Sequence, residues 1–173
     1  MGSALFEPRT AFLRLDESST MTTYREDDRF SIIGVDVAAP LPAAVRKSSN
    51  VPALLVSMSV RPVAVRNYRL WIASKIVPTG PIDAFRVNVI DLAAEPAIWA
   101  GGGVRYVHFH VRHAAINDAA ADLGYEPVGG FRHSVAREDI VLAQITNSLL
   151  PYLGARSGRR GPRSGATRPA PNA

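Results

Sequence analysis

Hydrophobic residues alternate with polar or small residues in the first two-thirds of the chain. In Ala53–Val60 the residues Leu54, Val56, Met58 and Val60 alternate with Ala53, Ser57 and Ser59, and a period of two is typical of a strand with one buried face. Related patterns occur in Phe30–Val37, Tyr68–Ile72, Lys75–Pro78, Phe85–Asp91 and Arg105–Arg112. Short strands separated by loop breaks predict an antiparallel barrel or sandwich rather than βαβ units.

The last third of the chain changes to a helical period. An alanine-rich segment over 114–123 ends at Gly124 and predicts one helix. A second and longer helix is predicted over Ala136–Leu150, and Pro151 is expected to end or kink it. Its apolar residues at four-residue spacing are Val141, Ile145 and Leu149. Because no later domain is expected to cover this stripe, we predict that it forms a dimer interface.

Charge is distributed unevenly along the 173 residues. The net charge is +5, with 20 basic and 15 acidic residues, and the segment after Leu153 holds five arginines and no acidic residue. Residues 1–153 are therefore electrically balanced. A neutral body argues against a basic face that neutralises DNA phosphates, so no specific nucleic-acid binding by this chain alone is expected.

Composition suggests a single intracellular domain. The chain is 47% hydrophobic and has no cysteine, which excludes disulfides and thiolate metal sites and fits a cytoplasmic location. No apolar run is long enough to span a membrane. We expect residues 1–29 to be a flexible extension, 30–153 to be the domain, and the Arg/Gly/Pro-rich residues 154–173 to be a disordered tail.

Several loose motifs, taken in order, resemble the sensor region of AraC-type transcriptional regulators. They are Tyr68-Arg-Leu-Trp71, the segment 89–96 with Trp99, the segment 107–116 followed by Asp122-Leu-Gly124, and Val135–Leu153. The resemblance implies an α+β fold: a cupin-like antiparallel β-barrel followed by two or three C-terminal helices. It also implies a noncatalytic domain that binds a small-molecule effector and pairs two subunits.

The family's DNA-binding domain would follow this region, and residues 154–173 cannot form a helix-turn-helix. The chain is therefore expected to be a truncated regulator that forms a homodimer or a heterodimer with an intact relative. A small metal-dependent cupin enzyme and a nonfunctional gene remnant stay open as alternatives.

Candidate ligand-binding residues lie on the predicted strands. They are Tyr68, Trp71, Arg86, His108 and His110. The alternative interpretation is that these aromatic residues fill the core and that the polar ones face solvent. His108 and His110 share a strand face, as metal ligands would, but Ala114 and Ala115 stand where a carboxylate is needed. We therefore predict no metal, no cofactor and, without a Gly-x-Ser-x-Gly motif, no catalytic residue.

Overall fold

The computed structural model describes residues 19–26, 29–41, 45–46 and 52–154. These contain ten strands and two helices. In chain order the elements are β1 Ser19–Glu26, β2 Phe30–Val37, β3 Val45–Arg46, β4 Ala53–Ser59, β5 Tyr68–Ile72, β6 Lys75–Val77, β7 Arg86–Asp91, β8 Ala97–Ala100, β9 Val104–Arg112, α1 His113–Asp122, β10 Ser134–Glu138 and α2 Ile140–Gly154.

The strands form two antiparallel sheets. One has six strands in the order β1-β2-β9-β4-β7-β10, and the other has four in the order β3-β8-β5-β6. A single core of buried residues joins them, including Ile33 and Leu55 from the larger sheet and Leu70 from the smaller. The predicted antiparallel α+β fold is confirmed as a β-sandwich with two later helices. Closure into a cupin-like barrel stays a prediction.

Alternation along β9 sorts its side chains between the two faces of the six-stranded sheet. Tyr106 belongs to the core between the sheets, whereas Val107 and Phe109 join a second cluster with Leu153 of α2. On that outer face a Cβ atom at Gly34 would lie 3.3 Å from the Cβ of Leu153. The absence of a side chain at Gly34 therefore lets the end of α2 lie close to β2.

The predicted boundary at Phe30 is wrong, because β1 lies within the segment expected to be a flexible extension. β1 pairs along its whole length with β2, from Ser19 opposite Val37 to Glu26 opposite Ser31. Its sequence STMTTYRE has few apolar residues and so gives little hydrophobic alternation, but β-branched threonines suit an edge strand. The expectations for residues 1–18 and 155–173 concern segments outside the described residues.

The longest helix is also shifted from its predicted position. Residues 134–138 form β10, and α2 starts at Ile140 and continues through Pro151 to Gly154. Ala136 has a positive φ of 54°, which the right-handed α-helix does not allow. The side chain of Asp139 begins the helix instead, because its Oδ1 accepts a hydrogen bond of 2.9 Å from the Leu142 N–H. No helix in the described part of the chain is long and apolar enough to cross a membrane.

Candidate functional site

Polar side chains lie buried on the inner face of the six-stranded sheet. His108 stands opposite Ser57, and Ser57 stands opposite Asn88 on the next strand. Their exposed fractions are only 7%, 4% and 0%. We call these three residues, together with Tyr68 and Tyr106, the interior polar cluster.

Aromatic contacts join the two sheets within this cluster. The Tyr106 ring stacks on the His108 ring at a centroid distance of 5.7 Å and an interplanar angle of 12°. The centroid of the Tyr106 ring also lies 6.2 Å from that of the Tyr68 ring, which comes from the four-stranded sheet. The structure thus brings together two predicted ligand residues, Tyr68 and His108, through Tyr106.

The surroundings of the two tyrosines disfavour charge. Burial raises the pKa of Tyr68 and of Tyr106 well above the ordinary tyrosine value, and the neighbouring Tyr68 adds to the effect at Tyr106. Desolvation acts in this direction because it destabilises the phenolate relative to the neutral phenol. A charged molecule placed beside these rings would meet the same penalty.

Asn88 and Tyr106 each have one buried polar atom without a hydrogen-bond partner among the described residues. Asn88 Oδ1 accepts a hydrogen bond of 2.9 Å from the Ala136 N–H. By contrast, Asn88 Nδ2 and the Tyr106 hydroxyl are buried with no hydrogen-bond partner among the described residues. Most buried polar atoms have a partner in protein or water, and leaving one unpaired costs about 1–3 kcal/mol. These atoms therefore keep hydrogen-bonding capacity that no described residue uses.

Two further predicted ligand residues are placed differently from each other. Trp71 follows Tyr68 by three positions on β5, so strand alternation places it on the opposite face, and grouping it with Tyr68 was wrong. Arg86 places its Nη1 2.8 Å from Glu138 Oε1 and its Nη2 3.9 Å from Asp83 Oδ2. The contact with Glu138 joins β7 to β10, and strand alternation puts Arg86 on the same face of β7 as Asn88.

His110 lies on the same strand face as His108, as the sequence predicted. It stands opposite Leu55 of β4 and Ser31 of β2 and is half-buried. Within the described residues, no group of three or more His, Asp or Glu side chains is placed to hold a metal ion. Two imidazoles are fewer than the three protein ligands of a typical catalytic zinc site.

Helix α2 carries a second candidate surface. Thr146 and Leu153 face the sheet and are buried, whereas Val141 and Ile145 are 61% and 44% exposed. Leu149 packs on the outer-face cluster with Leu153. The structure therefore divides the predicted dimer stripe: Val141 and Ile145 are accessible, and Leu149 mainly attaches the helix to its own sheet. Further exposed apolar residues on α2 are Ile140 and Tyr152.

Sequence reasoning weighed Asn88 with Arg69 and Arg86 as possible contacts for an anionic ligand, but favoured a solvated outward face, and it did not propose Tyr106 as a ligand residue. The alternation in β7 and β9 was the signal that could have found them, because it places each on one face with its neighbours two residues away. Tyr106 shares the predicted face of His108 and His110. Alternation does not show which polar atom on that face lacks a partner.

Solved structures similar to this chain include two cupin proteins. An RmlC-like cupin protein from Desulfovibrio desulfuricans is 14% identical, with 64% of this chain and 94% of that chain covered and a TM-score of 0.43. The cupin domain of Cnp3 from Schizosaccharomyces pombe is 12% identical, with 73% and 83% covered and a TM-score of 0.45. No protein-family model and no curated protein matches the chain. At these identities and TM-scores the similarities assign no function.

Proposed function

We propose that this chain is a noncatalytic sensor domain of the AraC type, which binds a small uncharged effector between its two sheets. In this proposal α2 pairs the domain with a second copy or with an intact related regulator. The bound effector would contact the interior polar cluster, and pairing would use the exposed apolar residues of α2.

The observation that carries the proposal is the pair of unpartnered atoms in the cluster. Asn88 is fully buried, Tyr106 is 5% exposed, and each keeps a hydrogen-bonding atom without a partner among the described residues. An apolar side chain of similar shape would avoid that cost of about 1–3 kcal/mol per group. Polar groups that cost stability and face inward are typical of binding sites, where a ligand supplies the missing hydrogen bonds.

The chemical class of the effector follows from the side chains around it. Asn88 Nδ2 is a donor, and the Tyr106 hydroxyl can donate or accept. The tyrosines lie where burial disfavours charge. A small uncharged molecule with hydroxyl or carbonyl oxygens fits these groups, whereas an anion beside the two tyrosines would lose its hydration where burial disfavours charge.

The test removes the Tyr106 hydroxyl from the full chain. If the hydroxyl serves a ligand, Tyr106→Phe leaves the free energy of unfolding of the ligand-free protein unchanged or raises it by about 1 kcal/mol. The matched control is Tyr125→Phe. Tyr125 is 69% exposed, so we expect no change in the free energy of unfolding. Urea unfolding at neutral pH measures both. A loss of more than about 1 kcal/mol in Tyr106→Phe alone would show that the hydroxyl has a structural partner and would contradict the proposal.

A ligand screen completes the test. Thermal unfolding of the full chain is followed with neutral monosaccharides, polyols and lactams, and with monocarboxylates as charged comparisons. Binding to the folded state raises the melting temperature with ligand concentration. We expect stabilisation by neutral compounds and a smaller effect of the same compound on Tyr106→Phe. Stabilisation by carboxylates alone would contradict the inferred ligand class.

A further inference from the structure

Asn88 stands where the ladder between β7 and β10 is interrupted. Ser134 pairs with Val89 and Arg137 pairs with Val87, so two residues of β10 lie opposite Asn88 alone. This is a β-bulge, which leaves a backbone group without its ladder partner. The Asn88 side chain supplies the missing acceptor, because its Oδ1 binds the Ala136 N–H at 2.9 Å.

The bulge lies next to the start of α2. Ala136 has a φ of 54°, a left-handed conformation that costs an L-residue roughly 1 kcal/mol and persists only when its surroundings hold it. Asp139, three residues later, is the N-cap of α2 through its bond to the Leu142 N–H. The hydrogen bond from the Ala136 N–H to Asn88 therefore positions the residues that lead directly into the first turn of α2.

The other end of the same amide belongs to the interior polar cluster. Asn88 pairs across the sheet with Ser57, and Nδ2 is buried without a partner among the described residues. The amide is planar, so a ligand that binds Nδ2 also orients Oδ1 toward or away from Ala136. One rigid group thus contacts both the inner face and the bulge.

We propose that Asn88 couples the interior polar cluster to the position of β10 and the first turn of α2. An uncharged ligand whose oxygen accepts a hydrogen bond from Nδ2 fixes the amide and so strengthens the hydrogen bond between Oδ1 and the Ala136 N–H. The position of the first turn of α2 changes as a result. The ligand part rests on the proposed function, whereas the connection between Asn88 and α2 can be tested without it. Asn88 acts here as a positioning residue.

The experiment is amide hydrogen exchange on the full chain with Asn88→Leu, which keeps the branching at Cγ, enlarges the side chain somewhat and removes both polar ends. We expect residues 134–138 and the first turn of α2 to exchange at least tenfold faster than in the wild type, while β4 stays protected. Asn88→Ala is a second variant with the same expectation, for use if the leucine prevents folding. Ser57→Val changes the neighbour of Asn88 in the interior polar cluster. Because β4 does not pair with β10, an effect there would have to pass through β7, and we expect amide exchange at 134–138 to be at least twofold faster.

The matched control is Arg86→Gln, which breaks the other side-chain contact to β10. That ion pair is largely exposed on the Glu138 side and is expected to change exchange at 134–138 by less than threefold. Unchanged protection at 134–138 in both Asn88 variants would overturn the proposal, and so would equal acceleration across all strands. If exchange is faster at 134–138 while the first turn of α2 stays fully protected, Asn88 positions β10 but not the helix, and that part of the proposal is wrong.

Sedimentation equilibrium on the same proteins separates this inference from the proposed function. A pairing constant at least fivefold weaker in Asn88→Leu supports coupling to the pairing surface. If the wild type is a monomer, the proposed pairing is wrong, and hydrogen exchange in the first turn of α2 still decides whether Asn88 positions the helix.

Discussion

The side chain of Tyr106 is deeply buried, and its hydroxyl has no partner within the described residues. Its ring stacks on His108 and lies near Tyr68, and such ring pairs contribute about 0.5–1.5 kcal/mol each beyond burial. The unpaired hydroxyl costs about 1–3 kcal/mol, so it offsets most of the gain from stacking. Phenylalanine would keep the stacking without this cost, so stability alone does not account for the hydroxyl.

Because Tyr68 and Tyr106 are buried, we predict that the free energy of unfolding falls at high pH. Burial raises the pKa of Tyr68 and Tyr106 above the ordinary value of 10.0. Above about pH 10 the unfolded chain releases these protons first, so the unfolded state binds fewer protons and the free energy of unfolding falls as pH rises. The loss is roughly 1 kcal/mol per tyrosine at about pH 11, and none is expected below about pH 9.

Urea unfolding between pH 8 and about pH 11 measures this effect. Tyr68→Phe is expected to give a shallower decline than the wild type, because phenylalanine has no proton to lose. The control is Tyr125→Phe, because Tyr125 is exposed. Its free energy of unfolding should decline with pH as in the wild type. Equal declines in all three proteins would show that Tyr68 does not retain its proton in the folded state.

Metal binding is expected to be absent or weak. His108 and His110 share one face, but the positions expected to supply a carboxylate are Ala114 and Ala115, in α1. Elemental analysis of the purified full chain is expected to give far less than one transition metal per chain. A value close to one that disappears in His108→Ala would contradict this expectation and favour a metal-dependent enzyme.

At the scale of elements, regular alternation was the most informative signal. The strands β2, β4, β7 and β9 and the hairpin of β5 and β6 agree with the predicted segments to within a residue or two. The start of α2 was misplaced because Ala136 and its neighbours favour helix locally, whereas the bond from Asn88 holds Ala136 at a positive φ. That contact joins residues 48 positions apart, and local pattern cannot reveal it.

Helix α2 packs one side on the sheet and exposes apolar residues on the other. We predict that the full chain forms a dimer at tens of micromolar and that Ile145→Asp makes it monomeric, because a carboxylate would lose its hydration in an apolar interface. Ile145 is 44% exposed in the single chain, so the fold should survive the change. Light scattering, with circular dichroism for the fold, measures both effects.

The matched control for the dimer is Asn147→Asp. Asn147 is exposed on α2, and two residues further along a helix turn it to a different side from Ile145. The same charge there should leave the dimer intact. A monomeric wild type, or an Ile145→Asp dimer as stable as the wild type, would show that α2 does not form the interface.

At the scale of the whole molecule, the candidate site depends on how strands distant in sequence meet. The parity of positions within β9 put His108 and Tyr106 on one face, and Tyr68 on β5 lies close to them across the core, although its role as a ligand residue stays a prediction. The three-residue spacing between Tyr68 and Trp71 puts Trp71 on the other face. Hydrophobic pattern predicts faces, but partners such as Ser57 and Asn88 follow from the register between strands, which is set by packing of the entire sandwich.

The distribution of charge over the whole chain predicts how it interacts with DNA. Residues 1–153 are electrically balanced, so any binding to duplex DNA should come from the arginines beyond them and should not depend on sequence. These arginines are Arg156, Arg159, Arg160, Arg163 and Arg168. Neutralising at most five phosphates means that the logarithm of the binding constant falls with the logarithm of salt concentration with a slope no steeper than about −4.5. Weak DNA binding at low salt should therefore vanish at physiological salt.

Replacing all five arginines by glutamine should abolish this DNA binding. The control is Arg66→Gln with Arg69→Gln, both exposed on the described domain, which should not abolish it. Fluorescence anisotropy with two unrelated duplexes measures this, and tight binding to only one of them at physiological salt would show that the chain reads DNA sequence by itself.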